Sequence, residues 1–126
     1  MRVVEETSPA EVRGFAMLGA APRPRIKTDL SARRDLEILN LLATEDAIVS
    51  PKKGARGVFG EGLMADSWKR LPPTTRRAVI RGGNHAGFGL YGIQAYDGER
   101  TISLDDQQDQ VARHLVSFLK RVRKRG

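Results

Sequence analysis

Apolar residues gather along the chain in three short runs and one spaced series. The first run is Val12 with Phe15-Ala16-Met17-Leu18, closed by Gly19 and Pro22. A short apolar run bounded by turn residues predicts a buried strand over residues 12–18. Pro22-Arg23-Pro24-Arg25 follows as a connector, because two prolines exclude both helix and central strand. The second run is Asp35-Leu36-Glu37-Ile38-Leu39-Asn40-Leu41-Leu42-Ala43. Leucine is a modest strand former, so a helix also fits these residues. What comes next favours a strand over residues 36–43. Thr44-Glu45-Asp46-Ala47 is rich in turn and capping residues, and Ser50-Pro51 reads as a helix cap with its first helical position. Strand, acidic loop, helix start is the order of a βα unit.

Residues 52–62 carry Gly54, Gly57, Gly60 and Gly62, so a helix is expected only over residues 63–70, stopped by Pro72-Pro73. The third run ends in Ala78-Val79-Ile80 and predicts a strand over residues 76–80. A long irregular segment then leads to a turn at Tyr96-Asp97-Gly98. The spaced series is Val111, Leu115, Phe118, Leu119 and Val122, which marks one buried face of a final helix. Ser103 supplies its N-cap, with Asp106 three residues on in capping-box position. The order is β, connector, β, α, β, loop, α: an α/β fold of about three strands, thin for a whole doubly wound domain and so part of a larger sheet.

Composition narrows the chemistry. One domain suits a chain of 126 residues. No apolar stretch approaches the roughly 18 residues of a membrane span. Met1-Arg2-Val3-Val4-Glu5-Glu6 has no apolar core of a signal peptide, which leaves the cytoplasm as the default location. The absence of cysteine rules out disulfides, thiolate nucleophiles and cysteine-bound zinc. Net charge is +7, from 22 Lys and Arg against 15 Asp and Glu. Part of that excess is a basic tail, Lys120-Arg121-Val122-Arg123-Lys124-Arg125, which also complements the carboxyl end of a helix dipole. With one Trp, two Tyr and no recognition motif, the sequence weighs against nucleic acid as a partner, and a basic module that uses the tail of residues 120–125 on nucleic acid is the alternative reading.

Two residues carry candidate chemistry. His85 sits in Gly82-Gly83-Asn84-His85-Ala86-Gly87-Phe88-Gly89, just past a predicted strand. Asp46 follows the preceding predicted strand. Open α/β sheets place ligands at the carboxyl ends of their strands. If the strands are parallel, both side chains share that edge. An aspartate bonded to one imidazole nitrogen fixes the tautomer, and the other nitrogen then acts as general base toward a nucleophile. Each residue alone also has a plainer reading: Asp46 as a turn or cap, His85 as an incidental part of a tight glycine turn. His114 reads as a boundary residue of the final helix, and two distant histidines make no zinc site. Metal and cofactor are both expected to be none.

Thr44-Glu45-Asp46-Ala47-Ile48-Val49-Ser50-Pro51 resembles the acid loop of α/β-hydrolases, of the form G/A-T-x-D-x-x-V-x-P. Gly82-Gly83-Asn84-His85-Ala86-Gly87-Phe88-Gly89-Leu90-Tyr91-Gly92 resembles their histidine loop. The continuation through Tyr96-Asp97-Gly98 and Thr101-Ile102-Ser103 to Gln107-Gln108 is similar to a bacterial branch, α/β hydrolase fold-5, related to the dienelactone hydrolases. The resemblance spans residues 12–119. It implies that the three strands are the sixth, seventh and eighth of the family sheet, that Asp46 is the triad acid and that His85 is the triad base. Gly82, Gly83, Asn84 and Gly89 are then the supporting frame of the histidine loop.

The sequence departs from the family in one decisive respect. The family's nucleophile stands on a G-x-S-x-G elbow. Ser8, Ser31, Ser50, Ser67, Ser103 and Ser117 all lack it, so no nucleophile is assigned. Gly87 and Leu90 also stand where the group commonly has Gln and Asp. Residues 1–126 are therefore expected to be the C-terminal portion of an α/β-hydrolase domain, with the N-terminal half absent: a truncated frame first, otherwise half of a split enzyme or a remnant kept for binding. The complete fold would take a small ester-like substrate. This chain alone is expected to be inactive. It is expected to associate with itself, or with a complementary N-terminal half, through the open edge of its first strand.

Overall fold

A computed structural model describes residues 12–20, 29–49, 68–90 and 92–125. They form strands β1 (Gly14–Leu18), β2 (Glu37–Ala43) and β3 (Arg76–Ile80), a short 3-10 turn (Ala86–Phe88) and a long helix, α1 (Leu104–Arg125). Both neighbouring strand pairs are parallel, in the order β1-β2-β3. Phe15 stands opposite Ile38, and Leu41 opposite Ala78. The fold is α/β: three parallel strands in one sheet with a C-terminal helix against it.

Strand position explains strand composition. A strand covered on both faces reads as a continuous apolar run. β2 is the middle strand, and six of its seven residues are buried, with only Leu42 partly open. β3 lies at one edge, where Arg76, Arg77 and Val79 are exposed and Ile80 is buried. β1 lies at the other edge. Its apolar run predicts a buried strand, yet only Met17 is fully buried. Among the described residues, no strand pairs its outer side.

Two apolar layers flank the sheet. Leu41, Ile80 and Val111 form one with Leu18, Ala78, Phe88, Ile102 and Leu115, under α1. Met17, Leu30, Leu36, Ile38 and Leu71 form the other, with Phe15 and Trp68 against them. Arg77 crosses the Trp68 ring at 4.8 Å. Burying each such side chain contributes roughly 1.5–3 kcal/mol.

Helix α1 starts where Ser103 caps it, with the Asp106 backbone N–H donating to Ser103 Oγ at 3.0 Å. Val111 and Phe118 are buried, but Leu119, assigned to the same stripe from sequence, is 61% exposed. Leu119 stands one residue round from Phe118, about 100° away, beyond the narrow strip that a flat sheet covers. The helix runs from the carboxyl edge of the sheet, where Gln107 meets Asn84, to the amino edge. There the basic tail ties the helix to the sheet. Arg121 and Arg125 each donate through Nε to buried Glu37, both at 2.7 Å. Arg76 adds a third guanidinium at 3.3 Å.

Some expectations lie outside the described residues: the helix start at Ser50-Pro51 and most of the helix at residues 63–70, of which 68–70 are described. No described helix is long and apolar enough to cross a membrane.

Candidate active site

The parallel register brings the loops after β2 and β3 side by side. Thr44 joins them. Its backbone N–H donates to the Ile80 carbonyl at 3.1 Å, and its hydroxyl accepts the Gly82 N–H at 2.8 Å. The Glu45 N–H donates to the Gly83 carbonyl at 2.8 Å. Gly82 and Gly83 thus serve as rungs between the two loops.

Asp46 and His85 meet across this seam, with Nδ1 of the imidazole 2.9 Å from Asp46 Oδ2. Asp46 has no solvent exposure, and the His85 side chain is 20% exposed. A buried carboxylate needs donors for both oxygens. Oδ1 accepts the N–H groups of Ile48 at 2.9 Å and Val49 at 3.0 Å. Oδ2 is left to the ring. Asp46 is therefore both the capping residue of its own loop and the partner of the histidine, one oxygen for each.

Gly19, at the end of β1, completes the wall. It adopts φ +58°, and a Cβ there would stand 2.8 Å from the Phe88 ring and 3.1 Å from Asp46 Oδ2. Backbone of this hand and this closeness suits glycine alone. All three strands thus end at the Asp46–His85 pair.

The histidine loop is held by side chains from farther along the chain. Asn84 bridges it: its amide Nδ2 donates to the Gly98 carbonyl at 3.0 Å, and its Oδ1 accepts the Gly87 N–H at 2.9 Å. Buried Gln107 grips the Asn84 backbone from both sides, accepting its N–H at 3.1 Å and donating to its carbonyl at 2.8 Å. Gly89 closes the 3-10 turn through its N–H to Ala86, and its carbonyl accepts the Gln108 amide at 3.2 Å. Gly87, where the resembling group carries glutamine, has a local reason: a Cβ there would overlap the Gln107 amide.

Sequence reasoning missed two contributors. Gln107 entered only through the resemblance, and Asp97 only as a turn residue. Gln107 had a signal: it lies four residues before Val111, on the apolar stripe, where a polar residue needs a buried partner. Among the described residues, no three His, Cys, Asp or Glu side chains gather closely enough to hold a metal ion.

Comparison with known proteins agrees with this architecture. No curated protein and no solved structure matched the chain. A family model described as alpha/beta hydrolase family matches residues 1–109. That match takes in all three parallel strands, the acid loop, the histidine loop and Gln107, and on that extent the chain belongs to the alpha/beta hydrolase family.

Proposed function

We propose that Asp46 and His85 are the acid and the base of a serine-type hydrolase site acting on a carboxylic ester or a related acyl bond of a small molecule. One observation carries this reading: a wholly buried carboxylate, fixed by two backbone amides, with its second oxygen 2.9 Å from the Nδ1 atom of a partly open histidine. Asp46 accepts a hydrogen bond from Nδ1–H, which keeps the proton on Nδ1 and leaves Nε2 with its lone pair. Nε2 takes the hydroxyl proton as the nucleophile's oxygen bonds to the acyl carbon. The imidazolium then returns that proton to the departing alcohol as the carbon–oxygen bond breaks. Water reverses the sequence and releases the acid.

The chain carries no G-x-S-x-G elbow, so this reading gives it the acid and the base but no nucleophile. The outer side of β1, which no strand pairs among the described residues, suits a segment that would bring one. A strand pairing parallel to β1 would end beside Gly19, which is next to Asp46 and Phe88. The partner is accordingly a complementary, elbow-bearing half of the same fold.

The test is turnover of activated short-chain esters. The chain alone is expected to match background. Joined to an elbow-bearing N-terminal half, it should turn over, and the rate should fall by roughly 10³–10⁴ in His85→Ala. Turnover by the chain alone that vanishes in His85→Ala would contradict the reading, because a nucleophile would then lie within these 126 residues.

A further inference from the structure

Asp97 contributes nothing to the seam between the two loops, yet its carboxylate is fully engaged. Oδ1 accepts the N–H of His85 at 3.1 Å and of Gly98 at 2.8 Å. Oδ2 accepts the N–H of Ala86 at 2.9 Å. His85 begins the 3-10 turn, whose first N–H groups have no backbone partner within so short a turn; Asn84 takes that of Gly87, and the His85 side chain caps none. Asp97 takes up the N–H groups of His85 and Ala86 from twelve and eleven residues away in sequence.

The chain bends unusually to deliver that carboxylate. Tyr96 has φ +67°, the one described residue other than glycine with a positive φ. Its side chain is 93% exposed, so packing of the ring does not impose the conformation. An aromatic residue held there is a genuine outlier that something nearby must maintain. The turn closes with the Asp97 N–H on the Gln94 carbonyl at 3.3 Å, and the triple capture by Asp97 follows directly.

We infer that Asp97 is a positioning residue that sets the backbone of His85 so that its ring meets Asp46. This rests on the acid–base reading above and deepens it. The neighbouring anchors act elsewhere: Gln107 fixes Asn84, and Asn84 fixes Gly87. Among the described residues, only Asp97 accepts the N–H groups of His85 and Ala86. Without it the carbonyls of Asn84 and His85 keep their partners, but the N–H groups of His85 and Ala86 lose their acceptor, and the ring is held less firmly in its approach to Asp46.

The test reads the ring itself. Nitrogen spectra of labelled protein, taken where the imidazole is neutral, give the share of His85 carrying its proton on Nδ1. Wild type should hold the proton on Nδ1 almost entirely. Asp97→Ala should raise the Nε2-protonated share at least threefold, with a cooperative melt retained. Asp97→Asn, near in shape but with a single accepting oxygen, should fall between. Tyr96→Gly, which keeps the carboxylate and relieves the positive φ, should leave the ring as in wild type. A folded Asp97→Ala with the wild-type share overturns the inference and leaves the acid–base reading standing. If Asp97→Ala does not melt cooperatively, an Asp97→Asn ring identical to wild type overturns it. A wild-type ring protonated mainly on Nε2 overturns the inference and the acid–base reading together.

Discussion

Two buried carboxylates mark the two ends of the sheet, and they are satisfied in opposite ways. At the carboxyl end, Asp46 is held by two neutral backbone amides and one imidazole. At the amino end, Glu37 is held by the guanidinium groups of Arg76, Arg121 and Arg125. Amides satisfy an oxygen without cancelling its charge. The second oxygen of Asp46 faces the His85 ring instead of a fixed positive charge. Arginine is always protonated, so the three guanidinium groups more than cancel the charge of Glu37. Burial raises the pKa of Glu37, and hydrogen bonds from Arg125 and Arg121 bring it below the ordinary glutamate value. One end is the proposed acid–base site, the other a clasp between the last turns of α1 and the strands.

Breaking the clasp should give the largest effect. Glu37→Ala leaves three guanidinium groups without their carboxylate. Breaking a buried pair costs 3–5 kcal/mol, and the solvent access of these arginines lowers that to about 2–3 kcal/mol. Denaturant unfolding measures the loss. The same clasp predicts the acid response. The folded-state pKa of Glu37 lies below its unfolded value, so its stabilisation is complete above about pH 4.3 and is lost as the pH falls through the folded value. Asp35, lowered to about 2 by its hydrogen bond to Arg33, is 54% exposed and adds little. Melting temperature should hold level from neutral pH to about 5 and drop below about 4, and Glu37→Gln should flatten that drop.

A smaller effect should come from the other end. Gly87→Ala drives a methyl group into the Gln107 amide, for a cost of about 2 kcal/mol. Gln107→Ala in the same chain removes the obstacle as well as the anchor. The two changes together should therefore cost less than their sum, a coupling that a double-mutant cycle on unfolding detects. Additive costs would mean that the two residues do not share this space.

The sequence made the strands legible because each combines an apolar run with turn residues. β3 begins and ends at the expected residues, while β1 and β2 start slightly later than expected. Asp46 and His85 were legible because each follows a strand directly, and a parallel sheet carries successive strand ends to one edge. Register decided what the sequence could not. Leu119 belongs to the apolar series by spacing but falls outside the width of helix that the sheet covers. Asp97 and Gln107 act on backbone groups far from them in the chain, and a side chain that binds distant peptide groups leaves no periodic trace. The arginines of the tail read as a complement to the helix dipole until Glu37 is placed beneath two of them.

The central claim is that buried Asp46 holds the Nδ1 proton of His85. A proton so placed is protected by the unexposed carboxylate and strongly deshielded, so it should give its own low-field resonance in a proton spectrum. That resonance is expected in wild type and in Glu37→Ala, which breaks only the far end of the sheet. It should be lost in His85→Ala and in Asp46→Ala. A resonance that survives Asp46→Ala, or its absence from the folded wild-type protein, would contradict the account.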